Sequence, residues 1–257
     1  MRHVTRWLVR HQRLASNLAI AGFALFAAWP VQASNFGVPE NLPPWGLTQD
    51  LPAGQRGIYA DLAAAIAART HAPLEIKFVP YGRMLQGIKS GDLDYAFGVI
   101  GPATSEAGTF TSVVGKVPMV AVARKGLSLK TLNDLHGFAE VGYLRGGSCG
   151  PAVDADAAIK RVAQDSYDSA IRKMAAGRLD AWCIAKPGFT YALGALKMGD
   201  EMGDQVDYGE VKIAFQVTSA KADSAEAHEL GGIVDQLVSD GTAGKIFTRY
   251  VGAPYTP

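Results

Sequence analysis

The chain has 257 residues, of which 48% are hydrophobic and 19% charged, and its 25 basic and 24 acidic side chains leave a net charge of +1. This apolar content is enough for a buried core in one large domain or two modest ones. The near-neutral charge argues against nucleic acid or an anionic membrane surface as a partner.

Residues 1–33 have the pattern of a secretory signal peptide. Four arginines precede a short apolar run at residues 18–29, and Val31, Gln32 and Ala33 form a small-residue cleavage site. We therefore expect cleavage after Ala33 and export to the periplasm as a soluble protein, since the apolar run is shorter than a comfortable membrane span. The remaining part carries 21 basic and 24 acidic side chains, a net charge of −3.

A first strand is predicted at residues 36–38, followed by a proline-rich loop at residues 41–46. Pro43 and Pro44 fix this loop in an extended form and present Trp45 at its tip. The sequence is consistent with a Trp45 side chain that lines a pocket or packs in the core.

Helix and strand patterns alternate across residues 57–100. The predicted elements are a helix starting at residue 58, a strand at 74–79, a helix around 84–88 and a strand at 95–100. This alternation predicts an α/β sheet with parallel strands.

Beyond residue 100 the pattern weakens and then resumes. Residues 101–117 show no sustained helical or strand period. The later predicted strands lie at residues 119–123, 138–144, 160–163, 180–185 and 211–218, and the helices at 129–135, 152–159, 166–176, 189–196, 225–240 and 242–250.

One short motif occurs twice, where a helix leads into an apolar strand. The matching residues are Gly91, Leu93 and Asp94 in the first copy and Gly177, Leu179 and Asp180 in the second. The repeat suggests two lobes built on one plan. We interpret both aspartates as turn formers with a structural role.

A glycine-rich turn at residues 145–151 separates a predicted strand from a predicted helix. Its free backbone N–H groups favour an anion such as a carboxylate. The turn lacks the lysine of a phosphate-binding loop and the spacing of a dinucleotide fingerprint, so no cofactor is expected.

The whole series of motifs resembles the two-lobed solute-binding proteins of bacterial ABC transporters for amino acids and related polar solutes, the type II periplasmic binding proteins. The matching segments are LPPWG at 42–46, GIYADLAAAIA at 57–67, IKSGDLDYAF at 88–97, TLNDLHGFAEVGYLRGGS at 131–148, AAGRLDAWCI at 175–184 and LVSDGTAGKIFTRYVG at 237–252.

This resemblance implies an α/β clamshell in which each lobe is a sheet flanked by helices. Lobe one would comprise residues 34–117 and 216–257, and lobe two residues 118–215. Two crossing segments, near residues 116–120 and 213–217, would form the hinge, and the ligand would be enclosed when the lobes close.

The implied function is binding of a small polar solute, amino-acid-like or an organic acid, by a monomer that delivers it to the membrane permease of an ABC transporter. The chain departs from the family pattern at two positions. No Arg lies between Arg83 and Arg124, where the family holds the ligand carboxylate, and Ala185 stands where it has an acid for the ammonium. Because an unpaired buried charge costs several kcal/mol, we do not expect an ordinary α-amino acid as the ligand.

Seven residues are predicted to contact the ligand: Trp45, Tyr59, Tyr81, Arg83, Gly147, Ser148 and Trp182. The aromatic ones stand at strand or helix ends, where open α/β sheets bind ligands, although Tyr59 and Trp182 fit a lobe core equally well. The resemblance implies that Ser148 donates to an acid group of the ligand. Arg83, Arg145 and Lys186 are candidates to replace the missing arginine, or are solvated surface charges.

The two cysteines, Cys149 and Cys183, predict one disulfide, because the count is even and the chain is exported. Two buried free thiols are the alternative. With no histidine close to them in sequence, we do not expect a metal site.

Enzymatic motifs such as G-x-S-x-G, H-E-x-x-H and C-x-x-C are absent from the sequence, so catalysis is not expected. The enzymatic alternative is a cyclohexadienyl dehydratase on the same fold, for which Glu106 is the candidate general acid. A sensor input module is a third class, but it would need a membrane span and a signalling domain, neither of which we recognise in the sequence.

Overall fold

The structure is a computed structural model that describes residues 32–252. The predicted signal peptide, apart from its last two residues, lies outside this range. Within the range, no helix is long and apolar enough to cross a membrane.

Eight strands form one mixed sheet in the order β2-β1-β3-β8-β4-β7-β5-β6. The strands are β1 (Ser34–Pro39), β2 (Leu74–Val79), β3 (Tyr95–Val99), β4 (Thr109–Arg124), β5 (Val141–Leu144), β6 (Arg161–Gln164), β7 (Ala181–Ala185) and β8 (Met202–Val217). The helices are α1 (Ile58–Ala67), α2 (Tyr81–Ser90), α3 (Pro102–Ala107), α4 (Pro151–Asp154), α5 (Tyr167–Ala175), α6 (Lys186–Leu196), α7 (Ala225–Ser239) and α8 (Thr242–Val251). Short 3-10 helices span Leu132–Gly137, Gly199–Glu201 and Ser219–Lys221.

The strand pairing divides the sheet into two similar halves. In the first lobe, β1 pairs in parallel with β2 and β3; in the second, β5 pairs in parallel with β6 and β7. The long strands β4 and β8 are antiparallel to each other and run through both halves, β8 pairing with β3 and β4 with β7. This confirms the predicted two-lobed α/β fold with parallel strands and two crossing segments.

The crossing segments face each other where Lys116 pairs with Lys212 and Val117 with Val211. Residues 213–217 of β8, expected in the hinge, pair along their whole length with β3 of the first lobe. This pairing favours a crossing point on β8 just before residue 213, and the predicted lobe bounds stay a prediction.

The expectation of irregular structure at residues 101–117 is wrong, since these residues form α3 and the first half of β4. Thr109, Thr111 and Val113 are exposed and alternate with half-buried neighbours, so only one face of this segment is covered. Its strand conformation depends on pairing with β8, about a hundred positions later in the chain, which no local pattern reports.

The doubled motif occupies equivalent positions in the two lobes. Gly91 and Gly177 end their helices with positive φ angles of 85° and 70°, a conformation that glycine adopts without strain. Asp94 accepts a hydrogen bond from the Asn35 amide at 2.7 Å, and Asp180 accepts one from the Ala139 amide at 2.9 Å. Each carboxylate thus ties the start of its strand to the segment that enters the neighbouring parallel strand.

Candidate ligand-binding cleft

A small cavity lies between the lobes, where the carboxyl ends of the parallel strands meet. All six parallel strands contribute to its wall, either by their last residues or by the segments that follow them. The lining residues are Leu42, Trp45, Tyr59, Tyr81, Gly98, Val99, Leu144, Gly147, Ser148, Tyr167, Cys183, Ile184 and Ala185. This edge is where open α/β sheets bind ligands.

The first lobe presents Trp45 and Tyr59 side by side, with ring centroids 5.5 Å apart. The loop that carries Trp45 closes on itself through hydrogen bonds between the backbones of Leu42 and Gly46, and the Tyr59 amide donates to the Trp45 carbonyl oxygen at 2.8 Å. The Trp45 and Tyr59 side chains are both nearly buried, at 3% exposure. A tight turn and the first turn of α1 therefore fix both rings against the cavity.

Two hydrogen bonds join the lobes across the cavity. The Trp45 indole N–H donates to the Tyr167 hydroxyl oxygen at 3.0 Å in a buried setting, and the Tyr81 hydroxyl donates to the Gly146 carbonyl oxygen at 3.4 Å. The cavity between them has a volume of about 50 Å³. Ligand pockets usually measure about 300–1,000 Å³, so the structure shows the cleft in a closed form.

The three tyrosines of the cleft are neutral. Burial raises the pKa of Tyr59, Tyr81 and Tyr167, because a phenolate would lose its hydration in this setting. The negative charge of a neighbouring phenolate at Tyr81 or Tyr167 would raise the pKa of Tyr59 further. Together they offer neutral hydroxyl groups to a ligand.

Ser148 is held by a network behind the glycine-rich turn. Its hydroxyl donates to Asp154 Oδ2 at 2.5 Å and accepts from the Gly150 amide at 2.9 Å. Asp154 also accepts from the Cys149 amide and from Arg161 Nη1, which fixes the carboxylate. A hydroxyl has one proton and two lone pairs, so Ser148 offers the cleft an acceptor rather than the expected donor.

None of the three candidate cations lines the cavity. Arg145 pairs with Asp165 at 2.8 Å, and Lys186 pairs with Asp207 at 2.5 Å. Arg83 is exposed on α2, two residues after Tyr81. Since successive residues of an α-helix are turned by about 100°, a side chain two positions after Tyr81 points away from the cleft.

Of the seven predicted contact residues, the structure brings Trp45, Tyr59, Tyr81, Gly147 and Ser148 together at the cavity and leaves Arg83 and Trp182 outside. Trp182 is fully buried in the second lobe, where its ring meets Tyr167 edge-on at 5.4 Å. That these five residues bind ligand stays a prediction.

Sequence reasoning missed Tyr167. It occupies the first turn of α5, directly after Ser166, whose side chain caps the helix by accepting from the Ser169 amide at 3.1 Å. The rule that singled out Tyr81 at the start of a helix after a strand applies equally to Tyr167 and would have found it.

The predicted disulfide is not formed: Cys149 and Cys183 are free, buried thiols. The Cys149 sulfur lies 3.9 Å from the Cys183 carbonyl oxygen, and a hydrogen bond with the Cys183 side chain, together with burial, raises the pKa of Cys149. Both cysteines pack as small apolar side chains in the second-lobe core. An even number of cysteines therefore does not distinguish a disulfide from two buried free thiols. Among residues 32–252, no group of three or more His, Cys, Asp or Glu side chains could hold a metal ion.

Solved structures with the same fold are similar to nearly the whole chain. A histidine kinase sensor domain with similarity to periplasmic binding proteins has a TM-score of 0.73 and 18% identity, over 88% of this chain and 98% of that one. An ancestral arginine-binding protein bound to glutamine has a TM-score of 0.69 and 22% identity, over 86% and 98%. An ancestral amino-acid-binding protein, described as a precursor of cyclohexadienyl dehydratase, has a TM-score of 0.67 and 17% identity, over 85% and 95%.

At these identities the similarity shows the fold alone, and no curated protein matches the chain. The sequence itself is more specific, because residues 35–253 match one family along almost the entire described range. The chain therefore belongs to the bacterial extracellular solute-binding proteins, family 3.

Proposed function

We propose that this protein binds a small polar solute reversibly in the cleft between its lobes and delivers it to the permease of an ABC transporter. The observation that carries the proposal is the closed cavity at the carboxyl ends of all six parallel strands, in a member of an extracellular solute-binding family. The proposed binding residues are Trp45, Tyr59, Tyr81, Gly147 and Ser148, with Tyr167 added from the structure.

The proposal includes export to the periplasm and cleavage after Ala33, which rest on the sequence pattern of residues 1–33. It also includes action as a monomer, which rests on the resemblance to the solute-binding proteins, and without nucleic acid, which rests on the net charge of −3 after cleavage.

We further propose that the lobes move as units about β4 and β8. The predicted division into residues 34–117 with 216–257 and residues 118–215 fits this proposal, except that pairing with β3 favours a boundary on β8 near residue 212. Closure would be favoured by the two hydrogen bonds across the cleft, one from Trp45 to Tyr167 and one from Tyr81 to Gly146.

The dehydratase alternative is supported by the ancestral precursor among the similar structures, but not by the cavity. Glu106, its candidate general acid, is exposed on α3 and does not line the cavity. Assaying prephenate turnover by the purified protein separates the two functions, because a binding protein leaves prephenate unchanged.

A thermal-shift screen of the mature protein against small polar metabolites tests the main proposal. A solute at 100 times its dissociation constant stabilises the folded state by about 2.7 kcal/mol, which raises the melting temperature measurably. Trp45→Ala should lose the shift, and Tyr191→Ala, which removes an exposed aromatic side chain on α6, should keep it. If no small solute but only a partner protein raises the melting temperature, the transport proposal is wrong.

A further inference from the structure

The cleft is unusual in its charge. Within the described range, none of the side chains that line the cavity is a carboxylate, an ammonium, a guanidinium or an imidazole group: they are aliphatic, aromatic, hydroxyl or thiol groups. The nearest carboxylate in the Ser148 network, Asp154, is already engaged by Ser148, the Cys149 amide and Arg161. A ligand that enters this cavity therefore meets no free charge of either sign on the side chains of the wall.

The lack of charged side chains on the wall should make the cleft discriminate between ligands by their charge. Enclosing a carboxylate or an ammonium group without a partner of opposite charge costs several kcal/mol, because the ion loses its hydration. Aromatic faces attract cations, and a desolvated cation–π contact returns about 2 kcal/mol or more, which offsets part of this cost for a cation but none of it for an anion. Anions and zwitterions are therefore disfavoured in the closed cleft, and cations are disfavoured less strongly.

The hydrogen-bonding groups of the wall are neutral, and one of them lacks a partner. The Tyr59 side chain is 97% buried, and its hydroxyl has no hydrogen-bond partner among residues 32–252. Tyr81 has only the long 3.4 Å bond to Gly146, and Ser148 has a free lone pair on its oxygen. The fully buried side-chain atoms without a partner in the described range belong to Tyr95, Trp182 and Gln216, so the unpaired Tyr59 hydroxyl is open to the cavity and free to bond a ligand there.

The shape of the wall suits a ring. The rings of Trp45, Tyr59, Tyr81 and Tyr167 line the cavity, and the ring centroids of Trp45 and Tyr59 lie 5.5 Å apart. Such rings pack favourably against the flat or apolar faces of a cyclic ligand, while their hydroxyl groups reach its polar edge.

We propose that the solute of this cleft is an uncharged ring compound bearing hydroxyl or amide groups, such as a monosaccharide or a neutral nucleobase. The proposal rests on the proposed function and narrows it, because it excludes α-amino acids and organic acids as principal ligands. The neutral class is selected by the absence of charge on the described wall and by the unpaired Tyr59 hydroxyl.

The test compares four sets of compounds in one thermal-shift screen: neutral monosaccharides, neutral nucleobases, amino acids with organic acids, and amines. We expect a shift from one of the neutral sets. If only a charged set raises the melting temperature, the proposal is overturned while reversible solute binding stands. If no set does, the proposal and the proposed function both fail.

Two further measurements use the neutral compound that binds. Tyr59→Phe removes only the hydroxyl group and should weaken binding roughly 2- to 12-fold, the effect of one neutral hydrogen bond. Tyr191→Phe makes the same change on the exposed face of α6 and should leave affinity unchanged. The dissociation constant should also be independent of salt, whereas a steep salt dependence or an unaffected Tyr59→Phe variant would contradict the proposal.

Discussion

At the scale of single residues, Ser148 shows how a structure can reverse a chemical role. A free serine hydroxyl can donate to a ligand carboxylate, but here the proton is committed to Asp154 at 2.5 Å. The hydroxyl oxygen can then only accept from the ligand. The same residue type at the same position therefore selects a donor ligand instead of an acid.

Alanine variants of Ser148 and Arg83 should therefore differ in their affinity for the solute. Ser148→Ala should weaken binding of the solute roughly 2- to 12-fold, because one acceptor is lost from the cleft. Arg83→Ala should leave affinity unchanged, because its side chain is exposed and outside the cavity. Isothermal titration with the solute measures both. A loss of affinity in Arg83→Ala alone would mean that the arginine reaches the ligand.

The cysteines give a second residue-scale prediction. Because Cys149 and Cys183 are free and almost completely buried, they should resist alkylation in the folded protein and react fully after unfolding. Intact-mass analysis of the non-reduced protein should show two added labels only in denaturant. A mass without labels, which gains two only after reduction, would show that the disulfide forms.

At the scale of secondary-structure elements, two glycines allow the Trp45 loop to lie against α1. A Cβ atom on Gly46 would lie 1.8 Å from the Pro39 carbonyl oxygen, and one on Gly57, whose φ is +107°, would lie 2.6 Å from the Gly46 Cα. The position of Trp45 thus depends on the absence of side chains at these two points.

Gly46→Ala should lower the free energy of unfolding by about 1–3 kcal/mol, because the backbone must shift to relieve the overlap. Gly194→Ala is the matched control: it lies on exposed helix α6 with nothing within 4 Å of a Cβ atom. It should stabilise the protein by about 0.5–1 kcal/mol through helix propensity. Urea unfolding measures both changes, and an equal response of the two variants would contradict the role of Gly46.

Asp180 gives an element-scale prediction with a pH dependence. It links the start of β7 to the Ala139 amide and to Arg124 of β4, at 2.9 and 3.2 Å. Burial by itself would raise the pKa of this carboxyl, but the hydrogen bonds from Ala139 and Arg124 outweigh burial and hold the pKa below its ordinary value of 3.8. The ionised form is therefore favoured by folding.

Because the folded pKa is lowered, the contribution of Asp180 to stability is present above about pH 4 and is lost as the pH falls below that value. Asp180→Asn should be less stable than the natural protein at pH 7 by roughly 1 kcal/mol. The difference should shrink as the pH falls toward 2. Unfolding free energies at several pH values measure this, and a constant difference would show that the charge is irrelevant.

At the scale of the whole molecule, closure joins two lobes that share only β4 and β8 in the sheet. The buried hydrogen bond from Trp45 to Tyr167 exists only when the lobes approach, so it favours the closed form. The cleft should widen to take up the solute, because the closed cavity measures about 50 Å³ whereas ordinary ligand pockets measure roughly 300–1,000 Å³.

Tyr167→Phe tests this coupling. Removing the acceptor leaves the Trp45 indole N–H without a partner in the closed form, so the equilibrium should move toward the open form by about 1 kcal/mol. Small-angle scattering should then show a larger radius of gyration, and affinity should fall several-fold. Tyr191→Phe serves as control. Unchanged scattering and affinity would mean that closure does not depend on this bond.

Local patterns by themselves determined most of the fold. Strand β2 occupies the predicted residues 74–79, β3 and α1 begin where their apolar periods begin, and the doubled glycine and aspartate motif indicated two similar lobes. These features follow from the periods of helix and strand and from turn chemistry, which act over a few residues.

Only the tertiary structure decided which side chains meet in the cleft. Arg83 points away because of its angle on α2, Trp182 packs inside the second lobe, and Tyr167 reaches the cavity by crossing to Trp45, 122 residues away in sequence. The direction of the Ser148 hydroxyl proton depends on the position of Asp154. The strand conformation of the first half of β4 depends on pairing with the distant strand β8. The position of Tyr167 at a helix start could be read from the sequence, but its contact with Trp45 could not, because residue spacing does not report which distant elements pack together.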